Sequence, residues 1–306
     1  MRRYILARTA QLVPVVFGVV TIVFLLIHLI PGDPVEIMLG ESAVAAQKEE
    51  LRRDLKLDLP IAEQYAEFLK GLARGDLGLS FRSREPVARE ILSRFPATLL
   101  LAAASLLVAI LVAFPLGVLS ALRPRSWVDH ISALLAMLGL SMPNFWLGPL
   151  LILVFSIQLG LLPVSGFGTA LHLVLPALTM GSGMAAILMR LMRSSLLEEI
   201  RREYVRTAAA KGLSLRGAVL RHALKNSSIP VITVLGLQFG ALLAGSIITE
   251  TIFSWPGIGR LTVQAIDARD YPLVQGCVLF IALCTVFVNL VTDLLYSRLD
   301  PRIRYE

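Results

Sequence analysis

The charged residues of this 306-residue chain are spaced so that long stretches hold none. Asp, Glu, Lys and Arg are absent from Thr9 to Gly32, Phe95 to Leu122, Ile131 to Met189, Asn226 to Thr249, and Tyr271 to Thr292. A bilayer span needs about 20 apolar residues. Four of these runs hold one span each. The 59-residue run holds two, because Gly160, Pro163, Gly166 and Gly168 interrupt it near its middle. The pattern predicts an all-α integral membrane protein with six transmembrane helices. Residues 1–30 are a short tail and the first span. The other spans are expected at about 96–122, 131–159, 171–193, 229–249 and 271–293, within one transmembrane domain of residues 95–296.

Magnitudes support this division. The twelve Leu, Ile, Val and Phe residues of Pro96–Val118 favour insertion by about 4–7 kcal/mol at most. Glu198–Lys225 carries ten charges, each costing about 2.5–3.5 kcal/mol at the bilayer centre. That segment stays out of the hydrocarbon. The opening MRRYILAR with its apolar run resembles a signal peptide, but the run is long and no A-x-A-like site follows. It reads as an uncleaved span.

Charge then sets orientation. Six spans place both termini on one side. Nine Lys and Arg lie between spans 4 and 5, with more at both termini and between spans 2 and 3. The short loops on the other side carry none (Leu162–Leu171) and two (Glu250–Asp270). The positive-inside rule puts both termini, and the 297–306 tail, in the cytoplasm. The net charge of +7 reflects this asymmetry, and no nucleic-acid partner is expected. The 31–94 loop is too long to count in that rule. It is expected as a helical, water-facing periplasmic insert, with short helices at Ser42–Leu55 and Pro60–Arg74, a GDLG turn, and a surface helix at Pro86–Ser93.

Composition and motifs exclude several functions. An ion-coupled carrier places carboxylates or histidines within its spans, and these span centres hold no Asp, Glu, Lys or Arg. No zinc-protease motif, nucleophile elbow or P-loop is present. The chain is therefore expected to be no enzyme, with no catalytic residue, no metal site and no cofactor of its own. The four histidines are scattered. Cys277 and Cys284, seven apart on one helix, are separated by about 10 Å, too far for a disulfide. In span 5, Gly236, Gly240 and Ala244 recur every four residues, with Gln238 and Gly245 beside them. Such spacing lets helices approach closely. It fits packing inside the bundle, a pathway lining, or contact with a second subunit.

The cytoplasmic segment, about 198–225, has its own design. Met192–Lys211 reads as a helical extension of span 4. Ala208, Ala209 and Ala210 give a surface with little bulk. Gly212 stands where a helix ends in a left-handed conformation, and Ser214 can cap the next helix. Leu215, Val219, Leu220 and Leu224 give that helix an apolar face. A DNA-binding helix–turn–helix is excluded, because the second helix runs into span 5 within a few residues.

The string RTAAAKGLS…RHALKN resembles the coupling loop of type I ABC-importer permeases of the dipeptide/oligopeptide/nickel class, whose form is E-A-A-x3-G-x9-I-x-L-P. Gly212, Ala208 and Leu224 match it. Arg206 replaces the glutamate, Thr207 the first alanine, His222 the isoleucine and Lys225 the proline. PGDP (Pro31–Pro34), GDLG-x-S (Gly75–Ser80), SMPNFWLG (Ser141–Gly148), FSWPGIGRL (Phe253–Leu261), RDYPLVQ (Arg269–Gln275) and LDPRIRY (Leu299–Tyr305) resemble the same class in order. The resemblance implies a permease subunit importing short peptides, or a glutathione-like peptide or nickel chelate. It implies a second, homologous permease subunit, two ABC ATPase subunits that bind ATP and Mg, an extracytoplasmic binding protein, and a bacterial inner-membrane location. Arg206, Thr207, Ala208, Ala209, Ala210, Gly212, Ser214, His222 and Leu224 would then contact the ATPase. The readings from other classes are an ion-coupled secondary carrier and a non-transporting membrane scaffold.

Overall fold

A computed structural model of the chain describes residues 2–29, 35–36, 44–54 and 57–299. The side chains of residues 2–9, 26–29, 51, 54, 215, 244–245 and 293–299 lie outside that description. So do the PGDP string at Pro31–Pro34 and residues 300–306.

The regular structure of the described residues is helical. α1 is Arg2–Leu29. The insert holds α2 (Ala45–Asp54) and α3 (Ile61–Ala73), close to the two helices expected there. Pro60 occupies the N-cap of α3, where its missing N–H costs nothing. The surface helix expected at Pro86–Ser93 is continuous with the next span, as α4 (Val87–Leu122). α5 (Trp127–Ser141) and α6 (Asn144–Leu151) follow, the latter running on into a π-helical stretch, Ile152–Gln158. α7 is Ala170–Ile200 and α8 Glu203–Ala210. α9 (Leu215–Ala218) passes through a π-helical turn, Val219–Ala223, into α10 (Leu224–Ile252). α11 (Ile258–Asp267) and α12 (Tyr271–Leu299) complete the chain.

Among the described residues, four helical stretches are long and apolar enough to cross a bilayer: Val87–Leu122, Ala170–Ile200, Arg216–Leu243 and Tyr271–Thr292. A fifth span arises if α5 and α6 count together, but that pair is bent by 110°. The sequence pattern predicts one uninterrupted span at 131–159. The break falls at Met142, which precedes Pro143 and is held extended (φ −88°, ψ 114°). A residue before proline is disfavoured in the helical region, so the α5 helix stops there. In α1 the residues with described side chains, Ala10–Leu25, form an apolar helix.

α4 and α7 form the centre of the bundle, with α5, α6 and α10 against α7 and with α1 and α10 against α12. Small residues permit the central contact. Along α4 the buried stripe includes Ala102, Ser105, Ala109, Ala113 and Gly117. On α7, a Cβ at Gly181 would meet the Ser105 carbonyl oxygen at 2.7 Å. Lipid tails give helices no hydrophobic reason to associate, so close backbone approach and dispersion supply it.

The insert is joined to this bundle. Tyr65 and Phe68 of α3 pack on Phe24 of α1, with ring centroids 5.0 and 5.7 Å away. The Tyr65 and Thr21 hydroxyls share a 2.6 Å hydrogen bond. The buried Asp270 carboxylate accepts from the Ser80 hydroxyl and from the Phe81 and Arg82 backbone N–H groups, at 3.1 and 3.2 Å. This ties the insert to the start of α12.

Candidate coupling site

At the far end of α4 and α7, away from the insert, the chain between α7 and α10 folds back on the bundle. Its underside is apolar. Val205, Ala218, Val219 and Ala223 are buried against Leu196 of α7 and Ala121 of α4. Ala208 and Leu213 cover the edge of this cluster.

Local chemistry shapes the turn. Gly212 adopts φ +95°, as its position predicts. Its N–H donates to the Ala209 carbonyl at 3.0 Å, and the Leu213 N–H donates to Ala208 at 3.3 Å. These two bonds are the Schellman pattern that satisfies the last carbonyls of a helix. Ser214 then caps α9: its hydroxyl accepts from the Gly217 N–H at 3.2 Å.

One expectation fails here. α8 does not extend α7 without interruption. Arg201 and Arg202 form a turn, and Arg202 is extended (φ −69°, ψ 147°) as the N-cap of α8. The apolar face of the following helix is also redistributed. Leu220 is 58% exposed, whereas Ala218, Val219 and Ala223 are fully buried. The π-helical turn accounts for this. An extra residue per turn rotates the face away from a 3.6 spacing.

The nine predicted coupling residues divide into two groups. Arg206, Thr207, Ala209, Ala210, Gly212, Ser214 and His222 are exposed. Ala208 is half-buried against the underside cluster, and Leu224 packs inward on the cluster of Met192 and Val231. Arg206 reaches Glu203 at 3.6 Å, a surface pair worth tenths of a kcal/mol. The Thr207 hydroxyl donates to the Glu203 carbonyl at 3.0 Å. The exposed face of α8 is thus short side chains, with the longer Arg206 at one edge.

The span 5 residues are placed differently. A Cβ on Gly236 would meet Thr292 of α12, and one on Gly240 would meet Asn289 Oδ1 at 3.3 Å. Both glycines therefore serve the α10–α12 contact within this chain. Gln238 is half-buried. The surroundings of Ala244 and Gly245 lie outside the described side chains.

Sequence reasoning missed two polar junctions beside this site. Arg193 of α7 donates to Asp129 of α5 through Nε at 2.6 Å and Nη2 at 2.8 Å. Ser120 of α4 bonds to the same carboxylate, which also accepts from the Arg125 N–H at 2.9 Å. One carboxylate therefore joins three helices. The second junction is Tyr204, whose hydroxyl donates to Glu199 and accepts from Asn226 Nδ2 at 3.1 Å. The available signal for the first was an opposite-charge pair flanking the charge-free runs. For the second there was none, because Asn226 stands 22 residues from Tyr204.

A family model described as "Binding-protein-dependent transport system inner membrane component" matches residues 113–305. Its companion for the N-terminal part of such membrane components matches residues 1–102. The glutathione transport system permease protein GsiC of Pectobacterium atrosepticum is 44% identical over 306 residues, covering 100% of both chains. The protein of that name from Escherichia coli K12 is 43% identical over the same span. A solved structure, described as an amino acid ABC transporter with histidines, matches with a TM-score of 0.56. It covers 69% of this chain and 94% of that one at 14% identity, a likeness of fold.

Proposed function

The chain belongs to the family of binding-protein-dependent transport system inner membrane components, the permease subunits of ABC importers, and from that premise we propose that it forms half of a pathway for short peptides. The other half is a second, homologous permease subunit. Two ABC ATPase subunits supply ATP and Mg chemistry, and an extracytoplasmic binding protein delivers the peptide. This chain contributes no catalytic residue and holds no cofactor. In this reading it crosses the membrane six times with both termini cytoplasmic, α1 being the first span and the bent α5–α6 pair the third. The insert faces the binding protein.

The observation that carries the mechanism is the segment from α8 to α9. It has a buried apolar underside on α4 and α7 and an exposed face of small residues around Gly212. Such a face seats in a groove of a partner with little steric cost. Closure of the ATPase pair on ATP pushes this face, and the bundle shifts between two arrangements, a population shift that ATP binding biases. Within peptides, a glutathione-like tripeptide is favoured as the second reading by the names of relatives that match over the full length.

The test uses the full assembly in proteoliposomes, with labelled glutathione and a labelled dipeptide as probes. Gly212→Val and Ala209→Trp are expected to abolish ATP-driven uptake while the chain still inserts. Normal uptake by either variant would refute docking at this face. Uptake of the dipeptide but not glutathione would remove the second reading.

A further inference from the structure

The segment between α7 and α10 must transmit a push, yet it is attached unequally at its two ends. Toward α10 it is helical throughout, from α9 through the π-helical turn into the span. Toward α7 it is broken: Arg202 is extended, and the helical hydrogen bonding restarts at Glu203. A hinge at that point would let α8 swing without moving α7.

Tyr204 stands just past the break. The residue is 37% exposed, so burial alone does not hold it. Its hydroxyl is bonded on both sides. The proton goes to the Glu199 carboxylate on the last turn of α7. A lone pair accepts from Asn226 Nδ2 at 3.1 Å, on the first turn of α10. Glu199 is held in turn by Arg202, 3.7 Å away across the break. Burial first, and the neighbouring Glu199 next, raise the Tyr204 hydroxyl above the ordinary phenol range. It therefore keeps the proton that it donates.

We propose that Tyr204 is a positioning residue that yokes α8 to both α7 and α10, restoring across the Arg201–Arg202 break the stiffness that helix continuity would have supplied. The inference rests on the coupling reading given above and adds to it the residue through which force on α8 reaches two spans together. A hydrogen bond to a charged group is among the stronger hydrogen bonds available for this. Phenylalanine at this position keeps the ring and loses both bonds.

The test uses the full assembly in nanodiscs, with Cys277 and Cys284 replaced by alanine and spin labels at Glu203 on α8 and Arg190 on α7. Both positions are exposed. In the chain with Tyr204 the distance between labels is expected to be the same without nucleotide and with vanadate-trapped ADP, because α8 and α7 move as one. In Tyr204→Phe the distance is expected to shift or broaden on trapping. The population in the yoked arrangement should fall roughly tenfold or more, as loss of a bond to a charged group implies. Glu199→Gln retains an acceptor but loses its charge and the Arg202 pair, so it should fall between the unaltered chain and Glu199→Leu, which should reproduce the phenylalanine variant. A purely structural role would lower the unfolding midpoint without any nucleotide-dependent shift. That result, or a Tyr204→Phe distance that stays constant on trapping, overturns the yoke. Failure of the ATPase subunits to co-purify with the unaltered chain overturns the coupling reading itself, and the yoke with it.

Discussion

Glu250 shows how one residue can organise a whole turn. It is fully buried at the end of α10. Its carboxylate accepts from the Thr98 hydroxyl at 2.8 Å and from the Arg260 N–H at 3.0 Å. The Thr98 oxygen accepts in turn from the Ile258 N–H at 2.8 Å. Ile258 and Arg260 are the first and third residues of α11, so α10 and α4 together cap that helix. A carboxylate at a helix N-terminus also meets the positive end of its dipole. A Cβ at Gly257 would overlap the Glu250 carboxylate, which is why glycine stands in the FSWPGIGRL string. Thr98→Val removes one partner from Glu250 and one from Ile258. The expected cost is about 1–3 kcal/mol, read as a lower unfolding midpoint in mild detergent. An unchanged midpoint would mean that water replaces the hydroxyl.

Among the elements, α3 departs most from a free-standing platform. Its aromatic side chains lie on α1, and Val20, Val23 and Leu279 share a cluster with Phe68, Leu69 and Leu72. Replacing residues 42–74 by a linker would therefore strip α1 as well as remove a docking surface. Contact with a binding protein is tested at exposed α3 positions such as Glu63 and Lys70. Phe68→Ala should loosen the insert without unfolding the bundle. Because Phe68 is half-buried, the loss should be below the about 3–5 kcal/mol of a fully buried Phe→Ala change. Limited trypsinolysis at Lys70 and Arg74 reads it, since local opening precedes cleavage. A cleavage rate equal to that of the unaltered chain would show that α3 is held by other contacts.

The whole molecule depends on how closely α4 and α7 approach. Gly181 and Gly117 set that distance, the latter with the Met189 carbonyl oxygen 2.9 Å from where a Cβ would sit. Gly181→Val forces the two helices apart. Overpacking of this kind costs about 1–3 kcal/mol and occasionally more. Here the obstacle is backbone, which does not yield as a side chain would. The expected result is loss of a monodisperse peak in detergent size-exclusion chromatography, whereas Ser182→Ala one residue on should leave the peak intact. Both variants behaving alike would show that the contact tolerates extra volume.

Much of this architecture was legible in the order of residues. The charge-free runs marked the four long apolar helices, although the run at 131–159 is broken at Met142. Gly212 and Ser214 marked the turn, because a left-handed C-terminus and a side-chain cap are local requirements. The insert helices were equally readable from proline and apolar spacing. Three features were decided elsewhere. The break at Arg201–Arg202 falls in a sequence of good helix formers, so nothing local announces it. The π-helical turn at Val219–Ala223 moves Leu220 outward because Ala218, Val219 and Ala223 must all meet Leu196 and Ala121. For Gly236 and Gly240 spacing left a pathway, another subunit and the bundle open, and the fold sets Thr292 and Asn289 of α12 against them. The sequence by itself determined which segments are long and apolar and where the backbone must turn, because transfer energies and φ preferences are properties of single residues and short windows. Tertiary structure alone decided which polar groups meet, since Glu199, Tyr204 and Asn226 become partners only after two helices have packed.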